Sequence, residues 1–233
     1  MQNSISKRFR KFLRIILIRI PLLLVLLSVG LVYMYKYVPV YVTPLMLKRT
    51  VEYWNDKDFH TAKKWVPYEE ISPEMVRCVM ASEDTRFLTH KGFDIEELKK
   101  MKKEHEEKGK PIRGCSTISQ QTAKNCFTFC SSTWARKGLE AYYTFLIEKI
   151  WGKKRIMEVY LNVIEMGKGI YGIQAAAQKY YGIDASDLAM RQCTAITVCL
   201  PNPLKRTPSW ADAHRRDRQA TIARLARGSA LPE

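Results

Sequence analysis

The first forty residues follow a different pattern from the rest of the chain. Residues 20–35 carry no charge, and with residues 15–18 before Arg19 and 38–42 after Lys36 the apolar run reaches the roughly 20 residues of a bilayer span. Beyond residue 42, apolar positions recur at three-and-four spacing instead of alternating. Thr43-Pro44 and Ser72-Pro73 each set a cap before a proline at the first helical position. Asp94 with Glu97 resembles a capping box and opens the Lys/Glu-rich segment 95–110, predicted as an exposed helix with i to i+4 pairs or a mobile flap. Further helices are predicted over 117–127, 133–151, 154–164, 175–181, 187–200 and 211–225, punctuated by Gly152, Gly167, Gly169, Pro201, Pro203 and Pro208. No alternating run is long enough for a convincing strand, and there is no repeat or second boundary. The expected fold class is therefore all-α.

Charge gives the apolar run a direction. The first 42 residues hold seven Lys/Arg and no acid, while all 23 acids of the 233-residue chain follow them. Six of the seven bases precede residue 20, so the positive-inside rule puts the N-terminus in the cytoplasm. The predicted layout is a basic cytoplasmic tail (1–14), a transmembrane anchor (15–42) and an extracytoplasmic domain (43–233). Tyr33, Tyr35, Tyr37 and Tyr41 suit an aromatic belt at the far interface. A cleaved signal peptide is the main alternative, but the run exceeds the usual core of about 7 to 15 residues; a buried core helix is the other. The formal charge of +16 does not single out a nucleic-acid protein, because its densest cluster abuts the apolar stretch and forms no aromatic-interleaved patch. All six cysteines fall after the span, and small buried hydrophobes are the default reading for most of them.

Four segments carry candidate chemistry. Glu83-Asp84, with Phe87, His90 and Gly92 following, sets a carboxylate pair at a helix end, where partial desolvation would suit a general base. Residues 114–125, with Ser116, Thr117, Gln120, Gln121, Lys124 and Asn125, pack neutral hydrogen-bonding side chains and one cation into about three helical turns. Arg136 and Lys137 precede Glu140 by four and three residues and share its helical face. Residues 156–162, ending in Tyr160-Leu161-Asn162, read as a packing helix without a catalytic residue. Each has a plain reading too: a solvated helix end, a polar face, a surface ion pair.

Together and in order, these segments resemble glycosyltransferase family 51, which comprises the monofunctional peptidoglycan glycosyltransferases and the matching domain of class A penicillin-binding proteins. Residues 83–92 match Glu-Asp-x-x-Phe-x-x-His-x-Gly, and 114–125 match Gly-x-Ser-Thr-Ile-x-Gln-Gln-x-x-Lys-Asn. Residues 136–140 match Arg-Lys-x-x-Glu, and 160–162 match Tyr-Leu-Asn. Ser119 departs from the usual Thr, Ser132 from a frequent Arg and Gln192 from a common Glu. The resemblance implies a lysozyme-like helical domain with a small membrane-proximal jaw, acting on lipid II and a growing lipid-linked glycan strand.

It further implies Glu83 and Glu140 as catalytic carboxylates, with Asp84, Ser116, Thr117, Gln120, Gln121, Lys124, Asn125, Arg136 and Lys137 binding substrate. A divalent cation, Mg2+ or Mn2+, is expected near Glu140, without an organic cofactor. Cell-wall synthesis or division proteins are conceivable partners, and nucleic acid is not. A peptidoglycan hydrolase and a non-catalytic membrane scaffold are the competing readings. A bifunctional penicillin-binding protein is excluded, since the only Ser-x-x-Lys, at residues 4–7, lacks the Lys-Thr-Gly a transpeptidase site requires.

Overall fold

The computed structural model describes residues 12–109, 116–129, 133–209 and 213–233. Most of the predicted basic tail, together with Gly114, Cys115, Cys130 and Ser132, lies outside the described residues. The chain divides into two compact units, Met1–Val38 and Pro39–Glu233.

The first unit holds helix α1, Phe12–Tyr37, in which an 18-residue stretch reaches a mean hydropathy of 2.8. Its 26 residues extend about 39 Å at the α-helical rise, more than the ~30 Å hydrocarbon core. Ile15–Arg19 are wound as a π-turn in which the Ile20 N–H reaches back to the Ile15 carbonyl. Pro21, which has no N–H to give, stands where the ordinary helix resumes. Leu22, Leu23, Leu24, Leu26 and Leu27 are all exposed, so the helix is apolar around its circumference. Water does not tolerate such a surface, whereas lipid does. It is the one helix among the described residues long and apolar enough to cross a membrane.

The second unit is helical. Its helices are α2 (Pro44–Glu52), α3 (Pro73–Glu83), α4 (Ile95–Lys108), α5 (Ile118–Phe127), α6 (Trp134–Ile150), α7 (Lys153–Val163), α8 (Ile173–Tyr181), α9 (Met190–Thr197) and α10 (Ala213–Ala226). Side-chain caps start several of them: the Met46 N–H donates to Thr43 Oγ1 at 3.3 Å and the Glu97 N–H to Asp94 at 2.9 Å. Ser72 behaves differently. It makes no cap bond and its hydroxyl donates to the Leu188 carbonyl at 2.7 Å, tying the start of α3 to the segment before α9. α4 and α8 stop at Gly109 and Gly182, both in the left-handed region that closes helices.

Two packing centres hold the unit together. α5 lies against α6 and α7, burying Ile118, Ile147, Ile156 and Leu161, while α3 packs on α9 and α10 through Met75, Val76, Val79, Ile196 and Ile222. Each such side chain contributes roughly 1.5–3 kcal/mol by leaving water. Cys78, Cys126, Cys193 and Cys199 are free and buried within these layers, as expected of small hydrophobes. Burial pushes the Cys78, Cys126 and Cys193 thiols up to about 12.

Three short strands are an addition to the predicted elements. β1 (Ala62–Lys63) runs parallel to β3 (Ile170–Tyr171), and β2 (Glu165–Gly167) antiparallel to it. Strands of two or three residues show no readable alternation, which is why the pattern does not announce them. Close approach sets their ends: a Cβ on Gly172 would meet the Asn162 carbonyl oxygen at 2.7 Å. Asn162, fully buried, accepts from the Val66 N–H at 2.9 Å and donates to the Val66 carbonyl at 2.8 Å. The Asn of Tyr-Leu-Asn thus fastens the chain after β1 to α7.

Candidate active site

Glu83 is the last residue of α3, and Asp84 caps it. The two carboxylates go separate ways. Asp84 is buried and accepts the Ile118 N–H at 3.0 Å, at the N-terminus of α5, where helix dipole and free amides favour an anion. It also meets His90 Nε2 at 2.9 Å, while the Gly92 N–H donates to His90 Nδ1 at 3.1 Å. An Nδ1 that accepts carries no proton, so Nε2 holds it and donates to Asp84. Asp84 therefore joins α3, the 84–92 loop and α5 into one rigid corner.

Glu83 faces open space. Ser82 Oγ donates to its Oε1 at 3.0 Å and Gln121 Nε2 to its Oε2 at 3.3 Å. Gln121 is itself oriented by Tyr160, whose hydroxyl donates to Oε1 at 3.3 Å. Burial, and then the nearby Glu83 and Asp84 charges, raise the Tyr160 phenol well above its usual range, so it stays a donor. Thr117 and Gln120 form a reciprocal cap on α5, and the Thr117 hydroxyl donates to the Gly92 carbonyl at 2.7 Å. Gln120 is buried in that role. Ser119 donates its hydroxyl to Glu148, a bond that its replacement of Thr preserves.

Two cavities meet at Gln121 and Pro201 and differ in charge. One, of about 520 Å³, is lined by Glu83, Asp84, Asp94, Glu97, Ser116 and Arg218. The other, of about 560 Å³, is lined by Lys48, Arg49, Lys124, Asn125, Arg136 and Glu165. Lys124 is exposed and forms no ion pair among the described residues. Arg136 donates to Glu140 at 2.6 Å, and Lys137 caps the other oxygen of the same carboxylate. Glu140 is 2% exposed and lines neither cavity; it reaches the cationic one only through Arg136. Lys137 and Gln120 also line neither.

The structure adds four residues that no local motif marks as part of the site. Arg49 of α2 makes a two-pronged pair with Glu165 of β2, at 3.0 and 3.0 Å. Burial raises the Glu165 carboxyl despite that pairing. Lys48 stands beside Arg49 on the cationic wall, and Arg218 enters the acidic cavity from α10. A larger cavity of about 610 Å³, by Arg191, Gln192 and Arg215, has no carboxylate among its described lining residues to serve as a base. Gln192 there caps α9, accepting the Ala189 N–H at 2.9 Å.

The donors present do not fit a protein-held divalent ion. Among the described residues no three His, Cys, Asp or Glu side chains come close enough together to hold a metal ion, and both Glu140 oxygens are engaged by cations.

A helical domain that sets a carboxylate at the mouth of one cavity and cations around its neighbour has the parts of an enzyme that activates a hydroxyl and stabilises an anionic leaving group. The chain belongs to the transglycosylase family, whose model matches residues 50–227, and is a glycosyl-transferring enzyme. It is 51% identical over 195 residues to the biosynthetic peptidoglycan transglycosylase of Bacteroides thetaiotaomicron, covering 83% of this chain and 78% of that protein. Identity to the protein of the same description from Caulobacter vibrioides is 48%, over 84% of this chain and 83% of that one. The Rhodospirillum centenum protein so described matches at 42% over 95% and 92%. The resemblance carried by the four motifs is borne out.

Proposed function

We propose that this chain polymerises the glycan strands of peptidoglycan, taking a lipid-linked GlcNAc-MurNAc-peptide as substrate and releasing a polyprenyl diphosphate. The observation that carries the reading is the change of charge across Gln121, from the Glu83 cavity to the Lys124 and Arg136 cavity. In the reaction, Glu83 takes the proton from the acceptor sugar 4-hydroxyl. The freed oxygen pair forms a bond to the donor anomeric carbon from the face opposite the diphosphate. The carbon–oxygen bond to the diphosphate breaks, its electron pair leaves with the phosphate, and the centre inverts.

Charge accumulates on the departing oxygens, so Lys124 and Arg136, with Asn125 orienting the sugar, supply most of the stabilisation. Glu140 serves this step as the group that aims Arg136 and Lys137. Asp84 and the Thr117–Gln120 cap hold the corner in which Glu83 and Gln121 meet. A divalent cation would supply charge neutralisation at the diphosphate and would come with the substrate, since the described residues do not hold one. A hydrolase would use water as acceptor and would have no use for the cationic cavity.

The compartment follows from the substrate and the anchor. We place α1 across the bacterial inner membrane with the N-terminus inside and the catalytic unit outside, where a polyprenyl-linked sugar is met by search in two dimensions. The deciding experiment is polymer formation from labelled lipid-linked disaccharide, with lysozyme digestion of the product. Glu83→Gln should abolish polymer while leaving lipid binding within about twofold, the signature of a group acting in the transition state. A variant that keeps substantial turnover would refute the base assignment.

A further inference from the structure

The C-terminal helix reaches the reacting carboxylate. α10 packs against α3, and Arg218 Nη2 donates to Ser82 Oγ at 3.3 Å. A guanidinium only donates, so the Ser82 oxygen accepts from it and directs its own proton to Glu83 Oε1, 3.0 Å away. Gln121 holds the other oxygen, Oε2. Arg218 forms no ion pair among the described residues, although Glu83, Asp84, Asp94 and Glu97 line the same cavity. It is the only cation on that described wall.

We infer that Arg218 is a positioning residue for the transfer reaction: acting through Ser82, it holds the Glu83 carboxylate in one orientation. This rests on the reading of Glu83 as the base. Four groups near Glu83 oppose or modulate that effect. Asp84, Asp94 and Glu97 bring negative charge from the 84–94 loop and α4, and the Tyr160 hydroxyl acts through Gln121. Asp84 is engaged by His90 and by the α5 terminus, and Asp94 by Arg86 at 3.3 Å. Arg218 therefore supplies the positive field that those pairings do not aim at Glu83. A contact that merely fastened α10 to α3 would contribute to stability and leave proton transfer untouched.

The test measures kcat/KM for lipid-linked disaccharide against pH with the full-length enzyme. In Arg218→Gln and in Ser82→Ala the acidic limb should move to higher pH, by less than the loss of a directly contacting cation would cause, since Arg218 acts through one hydroxyl. Turnover should fall about tenfold with KM within about twofold, and the double variant should lose no more than the worse single, because the two act in series. Arg218→Lys, which keeps the charge, should recover part of both effects. A limb that stays in place in both single variants, or losses that multiply in the double, would overturn the inference. Thermal midpoints measured alongside separate loss of fold, and should Arg218→Gln not fold, Ser82→Ala carries the same test alone. Failure here with Glu83→Gln inactive removes only the relay; an active Glu83→Gln removes the base itself.

Discussion

Glu140 carries its charge where water hardly reaches it, with only 3% of the side chain accessible and a cation on each oxygen. Breaking such an arrangement from one side is more harmful than never having built it, because the partners lose their anchor. Glu140→Gln should lower stability by about 1–3 kcal/mol and turnover by about a hundredfold through the misaimed Arg136. Combined with Arg136→Ala, it should cost little beyond Glu140→Gln alone; urea melts and single-turnover rates on the three variants decide, and full multiplicative losses would mean separate roles. At this scale the motif spacing singled out Glu83, Gln121, Lys124 and Arg136, and the fold places all four on the walls of the two cavities. What spacing could not separate was contact from support: Gln120 and Glu140 lie in the same motifs yet are buried as braces. Arg49 and Arg218 were illegible because their partners stand 116 and 136 residues away along the chain.

At the scale of elements, helices announced themselves and the sheet did not. Caps at Thr43, Asp94 and Thr117 and stops at Gly109 and Gly182 are local chemistry, readable within a turn. β1 exists only because β3 and the Asn162 side chain receive it. That strand carries Lys63, whose ammonium donates to the carbonyls of Val40 and Tyr41. Burial brings the Lys63 amine down to about 8, from 10.5. Between those values the unfolded chain binds more proton than the folded one, so stability contributed by this group rises with pH across the window. Wild type should gain on Lys63→Met by about 1–2 kcal/mol between pH 7.5 and 9.5 in urea denaturation. Subtracting the variant cancels the Cys78 and Cys193 thiols, which respond in the opposite sense above pH 9. A flat difference would mean that the amine titrates as it does in water.

For the whole molecule, a helix long and apolar enough to cross a membrane, joined to a helical unit, suits the proposed substrate, which is lipid at one end and sugar at the other. The apolar helix was legible from hydropathy alone, because its length and composition, enough to cross a membrane, are properties of one continuous stretch of chain. The two cavities were not, since opposed charge across Gln121 arises from α2, α4, α6 and α10 converging from distant parts of the chain. That division also bears on metal dependence. Among its described lining residues the cationic cavity offers Glu165 as its one carboxylate, already held by Arg49, and Glu140 is closed off by two cations. A bound ligand stabilises a protein according to its concentration relative to its dissociation constant, and a site weaker than about 10 mM adds less than ~0.3 kcal/mol at 5 mM ion. Adding 5 mM Mg2+ or Mn2+ to substrate-free enzyme should accordingly move the thermal midpoint by less than about 1 °C. A rise of several degrees from the ion alone would show a chelating cage in the protein and would overturn the placing of the cation on the diphosphate.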